Sequence, residues 1–344
     1  MHLYIHHAAC ISPRIDEVTA GLVGPVRIPG NRMTVKEPAY PGIPANLLRR
    51  MGKGVRMGVG VCLPLLQEFS GKIPGIIIGT ANGGTEDSFR FLQQMVEYHE
   101  EALSPGGFVQ STANGLAAQL SLMTGNRGYS VTHVHRGLAF EQALQDALLI
   151  SAEDGEAGYL VGGVDEISHS NFVLDTMLGW YKSEDDPWDW GAPPSPGTIA
   201  GEGAAAFIVS GRPANSIARL VRLATLHTDN PDTVAAKMRE VAGDGRGIDV
   251  LLSGENGDSR LQPFYSRCET QLPASVPVVW YKRGCGDYPT SSAVALWLAC
   301  RFLSGVPVPE PLLKRGQPGA VRSILIYNNY KGSQHSFMLV ENRR

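Results

Sequence analysis

The sequence predicts a layered α/β fold: a β-sheet covered by helices, built in two successive halves. Three observations carry this prediction. Short runs rich in β-branched residues alternate with segments of helical period, as in a sheet packed under helices. Several of these runs end in glycine-rich or polar turns, as at Gly79-Thr80, Gly162-Gly163 and Ser253-Gly254. Finally, the order of elements before Ser210 recurs after Ser216, although the two parts share no recognisable sequence and no short-period repeat.

Ile76-Ile77-Ile78 reads as a strand, followed by a turn at Gly83-Gly84. The segment Glu86 to His99 reads as a helix with Phe89, Leu92 and Val96 on one face. A second helix, rich in Ala and Leu, is expected over Thr112 to Met123 and stopped by Gly125. Tyr129 to His133 is a strand, Gly137 to Ser151 a helix with Leu138, Ala143, Leu144 and Leu148 inward, and Ala157 to Val164 a buried strand. Trp180 to Pro196 has three tryptophans, four prolines and several acids, which marks a surface excursion or lid at about 180–198. Gly201 to Ser210 is a strand of small and apolar residues.

In the second part, Arg219 to Leu226 is strand-like, and Asn230-Pro231-Asp232 opens a helix with Val234, Met238 and Val241 on one face. Ile248 to Leu252 is a buried strand and Val278 to Tyr281 another, followed by a loop from Lys282 to Pro289. An apolar helix from Ser291 to Leu303 leads to two last strands, Ser323 to Asn328 and Ser336 to Glu341. The halves are placed at residues 1–212 and 213–344.

At 344 residues the chain exceeds the roughly 100–200 residues usual for one domain, so two fused halves and one large α/β domain both fit. Apolar residues form 43% of it, ample for a core. A net charge of −3 with no basic block gives nucleic-acid binding no support and suits a protein acting on small molecules or other proteins. Five cysteines without CxxC pairing suit neither a zinc site nor a disulfide framework. Met1 to Cys10, with three histidines, is no signal peptide, and Ala293 to Leu303, interrupted by Arg301, is too short to span a bilayer. A reducing cytoplasm is expected, with no membrane span and no cofactor.

Four loops at strand ends are the candidate sites. Thr132 to Gly137 holds His133, His135 and Arg136 at a helix N-terminus, where backbone N–H donors would activate a nucleophile or stabilise an oxyanion, but it contains no Cys, Ser or Lys. His133 and His135 fit either imidazoles satisfied by backbone or a carboxylate, or direct ligand contacts; with no third ligand in view, no metal is expected. Ser253 to Asp258 fits a plain turn as well as a site. Lys282 to Tyr288 sets Cys285 and Asp287 beside Lys282 and Arg283, cations that lower a thiol pKa when they are close, though a lone cysteine there is also consistent with mere packing. Asn328 to Ser333 offers amides and glycine, or simply a hairpin connection.

In this order the loops resemble those of the β-ketoacyl synthases, over nearly the whole chain. SPGGFVQSTANGLAAQL from Ser104 is similar to the stretch before the family's active-site strand, and YSVTHVHRGLAFEQALQDAL from Tyr129 takes the place of the nucleophile strand, turn and helix. YLVGGVDE from Tyr159 and, most literally, GEGAAAFIV from Gly201 resemble two further family strands. The resemblance implies a thiolase-like α-β-α-β-α fold of two related halves. It also implies a cysteine and two histidines that this chain lacks. The cysteine slot falls on Val134, or on His135 with a one-residue shift; Ser253 and Asp287 stand in the histidine slots; and the terminal glycine-rich loop becomes NNYKGS from Asn328. Neither Val nor Asp replaces a thiolate or a neutral imidazole.

Such a pattern resembles the chain-length factors, inactive partners of working synthases, and most nearly those of bacterial aryl polyene and flexirubin-type pigment clusters. The implied partners are an active ketosynthase, or a second copy of the chain, and an acyl carrier protein. Phe108, His133, Arg136, Lys282 and Asn328, with the Trp180 to Trp190 excursion, are the implied tunnel or interface elements. The competing expectation is an acyltransferase or thioesterase with relocated chemistry, using Cys285 with Asp287 or His135.

Overall fold

The structure, a computed structural model, describes residues 2–15, 21, 30–101, 103, 105–153, 157–185, 189, 191–245 and 247–342. Ser104, Trp188 and Trp190, which the sequence analysis includes in its segments of interest, lie outside the described residues. The elements run β1 (Leu3–Ile11), α1 (Ala45–Leu48), α2 (Lys53–Glu68), β2 (Gly75–Gly79), α3 (Thr85–Glu97), α4 (Pro105–Gln110), α5 (Gly115–Thr124), β3 (Tyr129–His133), α6 (Ala139–Glu153), β4 (Tyr159–Asp165), α7 (His169–Met177) and β5 (Gly203–Ser210). There follow β6 (Ala218–His227), α8 (Pro231–Ala242), β7 (Val250–Ser253), α9 (Gln262–Glu269), β8 (Val278–Trp280), α10 (Lys282–Cys285), α11 (Ser292–Leu303), β9 (Leu313–Arg315), β10 (Ser323–Tyr330) and β11 (Gln334–Glu341).

Among the described residues the strands join in the order β3-β2-β4-β5-β1-β6-β11-β10-β7-β8-β9. The order β3-β2-β4-β5-β1 before the crossing recurs after it as β8-β7-β10-β11-β6. The directions recur too: three parallel strands, then two antiparallel neighbours, in each set. The sets meet where β1 pairs β6 over only three residue positions, Leu3 with Leu220, Tyr4 with Arg219 and Ile5 with Ala218.

Side-chain alternation separates the layers. Ile77, Val161 and Phe207 point to the same core as Val250, Val279 and Ile326 from the other set, and α6 and α11 fill that core. Helix α11 touches strands of both sets, so it lies between them. Ile76, Ile78 and Leu160 point the other way, against α2 and α5. Leu251, Val278 and Leu325 likewise face α8 and α9. The result is α2/α5, sheet, α6/α11, sheet, α8/α9: the five-layered fold expected from the sequence.

Several local expectations hold for identifiable reasons. Gly125 ends α5 at φ 67°, a left-handed C-cap that glycine adopts without strain. Asn230 caps α8 by accepting from the N–H groups of Asp232 and Thr233. Other expectations are corrected. The segment from Lys282 is not a loop throughout, because Lys282–Cys285 forms a helical turn ended by Gly286 at φ 73°. The Phe89, Leu92, Val96 face of α3 is not a core face: these side chains are 45%, 55% and 78% exposed.

Strand β1 and helices α2, α7 and α9 had no counterpart in the sequence reading. A bulge between Ile5 and His7 breaks the period-two signal of β1. Helix α2 disguises itself with glycines and Pro64; at Gly58 the Leu116 side chain of α5 packs into the space a Cβ would take, 2.3 Å from its position. Among the described residues no helix is long and apolar enough to cross a membrane.

The central layer is the mechanical axis of the fold, and Trp297 of α11 is its largest fully buried side chain. Trp297→Ala is expected to cost ~3–5 kcal/mol of unfolding free energy. Urea denaturation followed by circular dichroism checks this; a loss within experimental error of zero would remove α11 from its central role.

Candidate functional site

The turn from β3 into α6 is the first of the four loops. Val134 is 57% exposed, and His135 and Arg136 are exposed as well. Arg136 sits at φ 49°, a left-handed conformation that costs a non-glycine residue roughly 1–2 kcal/mol. Gly137 then enters the helix, its N–H donating to Oε1 of Gln334 at 3.0 Å. A Cβ on Gly137 would fall 2.2 Å from that of Tyr330, so only glycine lets the turn approach β10 this closely. His133 is occupied locally: its Nε2 meets Asp146 Oδ2 at 2.8 Å, and the same carboxylate accepts from the Tyr129 hydroxyl. Of the two readings kept for this imidazole, the carboxylate-satisfied one is what the structure contains.

The other three loops are knitted together beneath the surface. Lys282 Nζ donates to Asp287 Oδ1 at 2.7 Å and to the carbonyl of Asn329 at 3.2 Å. The second Asp287 oxygen accepts from Asn256 at 2.8 Å. Thus the loops carrying Ser253, Asp287 and Asn328 do converge, and most of these polar groups bond one another, while Asn329 Nδ2 is buried without a hydrogen-bond partner among the described residues. Ser253 is buried, its hydroxyl accepting from the Glu255 N–H. Asn328 accepts from the Tyr281 hydroxyl at 2.7 Å and is buried.

Cys285 needs correction as an alternative nucleophile. It is wholly buried, its sulfur against the carbonyls of Tyr281 and Gly286, and burial pushes its thiol up, away from the reactive thiolate. Neither is Lys282 close enough in effect to reverse that shift. Phe108 lies on α4, 61% exposed, its ring 5.7 Å from that of Phe91 on α3.

A cleft of about 600 Å³ opens beside the β3–α6 turn. Arg136 lines it, together with Glu166, Asp175, Trp180, Tyr288 and Tyr330; Val134, His135, Ser253, Cys285 and Asp287 do not. The cleft continues toward a much smaller pocket of about 30 Å³ between Thr80, Asp87 and Leu116, with Glu166 lining both. That inner space is a small fraction of the volume of the cleft.

Two adjacent carboxylates after β4 frame this junction. Asp165 accepts from the Thr80 hydroxyl, the N–H groups of Ala81 and Asn82, and the Thr290 hydroxyl, yet burial pushes its pKa up to about 6. Burial likewise raises Glu166 to about 7, against one bond from the Gly54 N–H. Glu202, from the GEGA run, is held by Lys53 and by the N–H groups of Val35 and Ile167. Sequence reasoning missed Glu166, Asp175 and Tyr330 as cleft residues; only the acidic end of YLVGGVDE hinted at the first. Among the described residues no cluster of three or more His, Cys, Asp or Glu is arranged to hold a metal ion.

Glu166 supplies a pH signature. Its folded pKa of about 7 lies above the 4.5 of an ordinary glutamate, so the folded state takes up a proton that the unfolded state lacks between these values. Its contribution is therefore fully present below about pH 4.5 and lost as the pH rises through about 7. Glu166→Gln is expected to stabilise the fold at pH 8 by ~1–3 kcal/mol and to change little at pH 4.5. Denaturant midpoints at the two pH values check this, and an equal shift at both would show that the carboxylate is not strained by burial.

With this geometry in hand, comparisons with known proteins place the fold. Residues 27–172 match the family description "Beta-ketoacyl synthase, N-terminal domain". No curated protein matches the sequence. A beta-ketoacyl synthase from Burkholderia phymatum is similar over 100% of both chains, with 16% identity and a TM-score of 0.78. The complex of the ketosynthase ApeO with its chain length factor ApeC from Xenorhabdus doucetiae also scores 0.78, at 14% identity over 99% of this chain and 98% of that one. The complex AntDE:AntF, a type II acyl-carrier protein with its ketosynthase, scores 0.73, at 15% identity over 99% of each chain. The chain has the thiolase-like fold of the β-ketoacyl synthases, and residues 27–172 carry the pattern of their N-terminal domain.

Proposed function

We propose that this chain is a non-condensing, chain-length-factor-like subunit that pairs with an active ketosynthase in type II polyene, fatty-acyl or polyketide assembly. One observation carries the reading. The β3–α6 turn, which the family resemblance assigns to the nucleophile, presents Val134, His135 and Arg136, and all five cysteines are buried, with Cys285 off the cleft. No thioester exchange can begin there. The slots that the family resemblance assigns to imidazoles hold Ser253 and Asp287, both turned to internal hydrogen bonds.

A surface suited to a partner subunit supports it. Helix α3 packs beside α4 and α7, and these helices leave Leu92, Val96, Phe108, Val109, Leu174 and Met177 exposed by more than half. Monomeric proteins rarely leave so many large apolar side chains on neighbouring elements in water. Among the described residues strand β3 pairs only with β2 and is an edge strand, so its outer hydrogen-bonding groups face away from the sheet. The ApeO–ApeC and AntDE:AntF complexes supply the kinds of partner: a working ketosynthase and an acyl carrier protein. We assign the pairing to a cytoplasmic, aryl-polyene-type assembly line, with a homodimer as the competing assembly.

Co-expression with an active ketosynthase encoded beside it tests the proposal. The pair is expected to co-purify, and the chain alone to release no CO₂ from malonyl thioesters. Leu92→Asp with Val96→Asp is expected to abolish co-purification while changing the stability of the exposed helix by no more than ~0.5 kcal/mol. Condensation by the chain alone would sink the reading, and a purely homodimeric product would sink its heteromeric part.

A further inference from the structure

We infer that the cleft beside the β3–α6 turn binds a monoanionic carboxylate joined to a planar aromatic or conjugated body, with Arg136 anchoring the carboxylate. The inference is separate from the pairing proposed above, because it is read on the purified chain alone.

The charges lining the cleft decide the sign and size of the ligand charge. They are Arg136, Lys331, Asp175 and Glu166. Lys331 and Asp175 form an ion pair at 2.5 Å and cancel each other. Arg136 has neither an ion pair nor a hydrogen-bond partner among the described residues, so its guanidinium is the free cation of the cleft. A guanidinium offers a planar fork that fits a carboxylate. With Lys331 and Asp175 paired, a dianionic phosphate would carry one charge more than Arg136 neutralises and would face Glu166 as well, whereas the charge of a single carboxylate is matched by Arg136.

The walls decide the body of the ligand. Phe172, Trp180, Tyr181, Tyr288 and Tyr330 line the cleft, a density of rings that favours stacking on flat unsaturated groups. These rings are held by neighbours: Phe172 and Tyr181 stack at 5.2 Å, Arg32 covers Phe172 at 4.5 Å, Arg260 covers Trp180 at 4.5 Å, and Lys331 lies 5.4 Å from the Trp180 ring and 5.3 Å from that of Tyr330. About 600 Å³ lies within the ~300–1,000 Å³ of small-molecule sites.

Arg136 also holds a conformation that works against it. At φ 49° glycine would be relaxed where arginine is strained, and strain of this kind concentrates at ligand-binding positions. That makes Arg136→Gly a discriminating variant, since it removes the guanidinium and relieves the backbone together.

Titration calorimetry of the full chain at pH 7 with cinnamate, cinnamyl alcohol, hexanoate and inorganic phosphate tests the inference. Cinnamate is expected to bind, with cinnamyl alcohol and hexanoate each weaker by about tenfold or more, and phosphate unable to displace it. Arg136→Gly is expected to lose cinnamate binding by about tenfold or more while melting at or above the wild-type temperature. Trp180→Ala is expected to weaken cinnamate and cinnamyl alcohol alike. Absence of cinnamate binding, unchanged binding in Arg136→Gly, or displacement by phosphate would each overturn it.

Discussion

The rest of this structure depends on one shared layer: two helices, α6 and α11, against which both strand sets must bury a face. Helix α11 has no polar side to spare, so it is stable only if a sheet covers it from each direction. The same demand explains why the strand order recurs after β6. Two sheets related in this way deliver their strand ends, and hence their loops, to one region beside the N-terminus of α6. The cleft is thus a product of core packing, and its location would persist through wide changes in loop chemistry.

What those loops contain is decided by a second constraint, the cost of a buried charge. Lys282 is 1% exposed, and Asp287 is its neutralising partner; either one alone would leave an uncompensated ion in the interior. Asp287 has both oxygens engaged, one by Lys282 and one by Asn256, so its charge is spent on the interior. Burial similarly commits Cys285 to packing. The chemistry left to the cleft lies in side chains outside this knot: Arg136 from one half of the fold, Lys331 and Tyr330 from the other, and Glu166 at the junction with the inner pocket.

Much of the fold was legible because local signals and burial agree. Ile76 to Ile78, Tyr159 to Val164 and Ser323 to Asn328 are continuous apolar strands, and all three are central in the sheet. Asn230 and Gly125 announce helix ends through capping geometry that sequence alone specifies. Where a signal serves tertiary contact instead, reading fails. Strand β1 hides behind its bulge, α2 behind glycines chosen for close packing, and the apolar stripe of α3 looks like a core face although it meets no core. Periodicity reports which side chains share a face, never what covers that face.

The site was legible in position but not in role, and Arg136 shows why. From sequence it was one of several polar residues at a helix start, indistinguishable in kind from His133 and His135. Three dimensions separate them: His133 is tied to Asp146, His135 lies off the cleft, and Arg136 faces it from a strained backbone without a carboxylate partner. A turn without a thiol is not inert on that account. The helix N-terminus that would activate a nucleophile also favours a bound anion, and a guanidinium beside it strengthens that preference. A cation beside such a turn therefore favours an acid held there without a bond being formed to it.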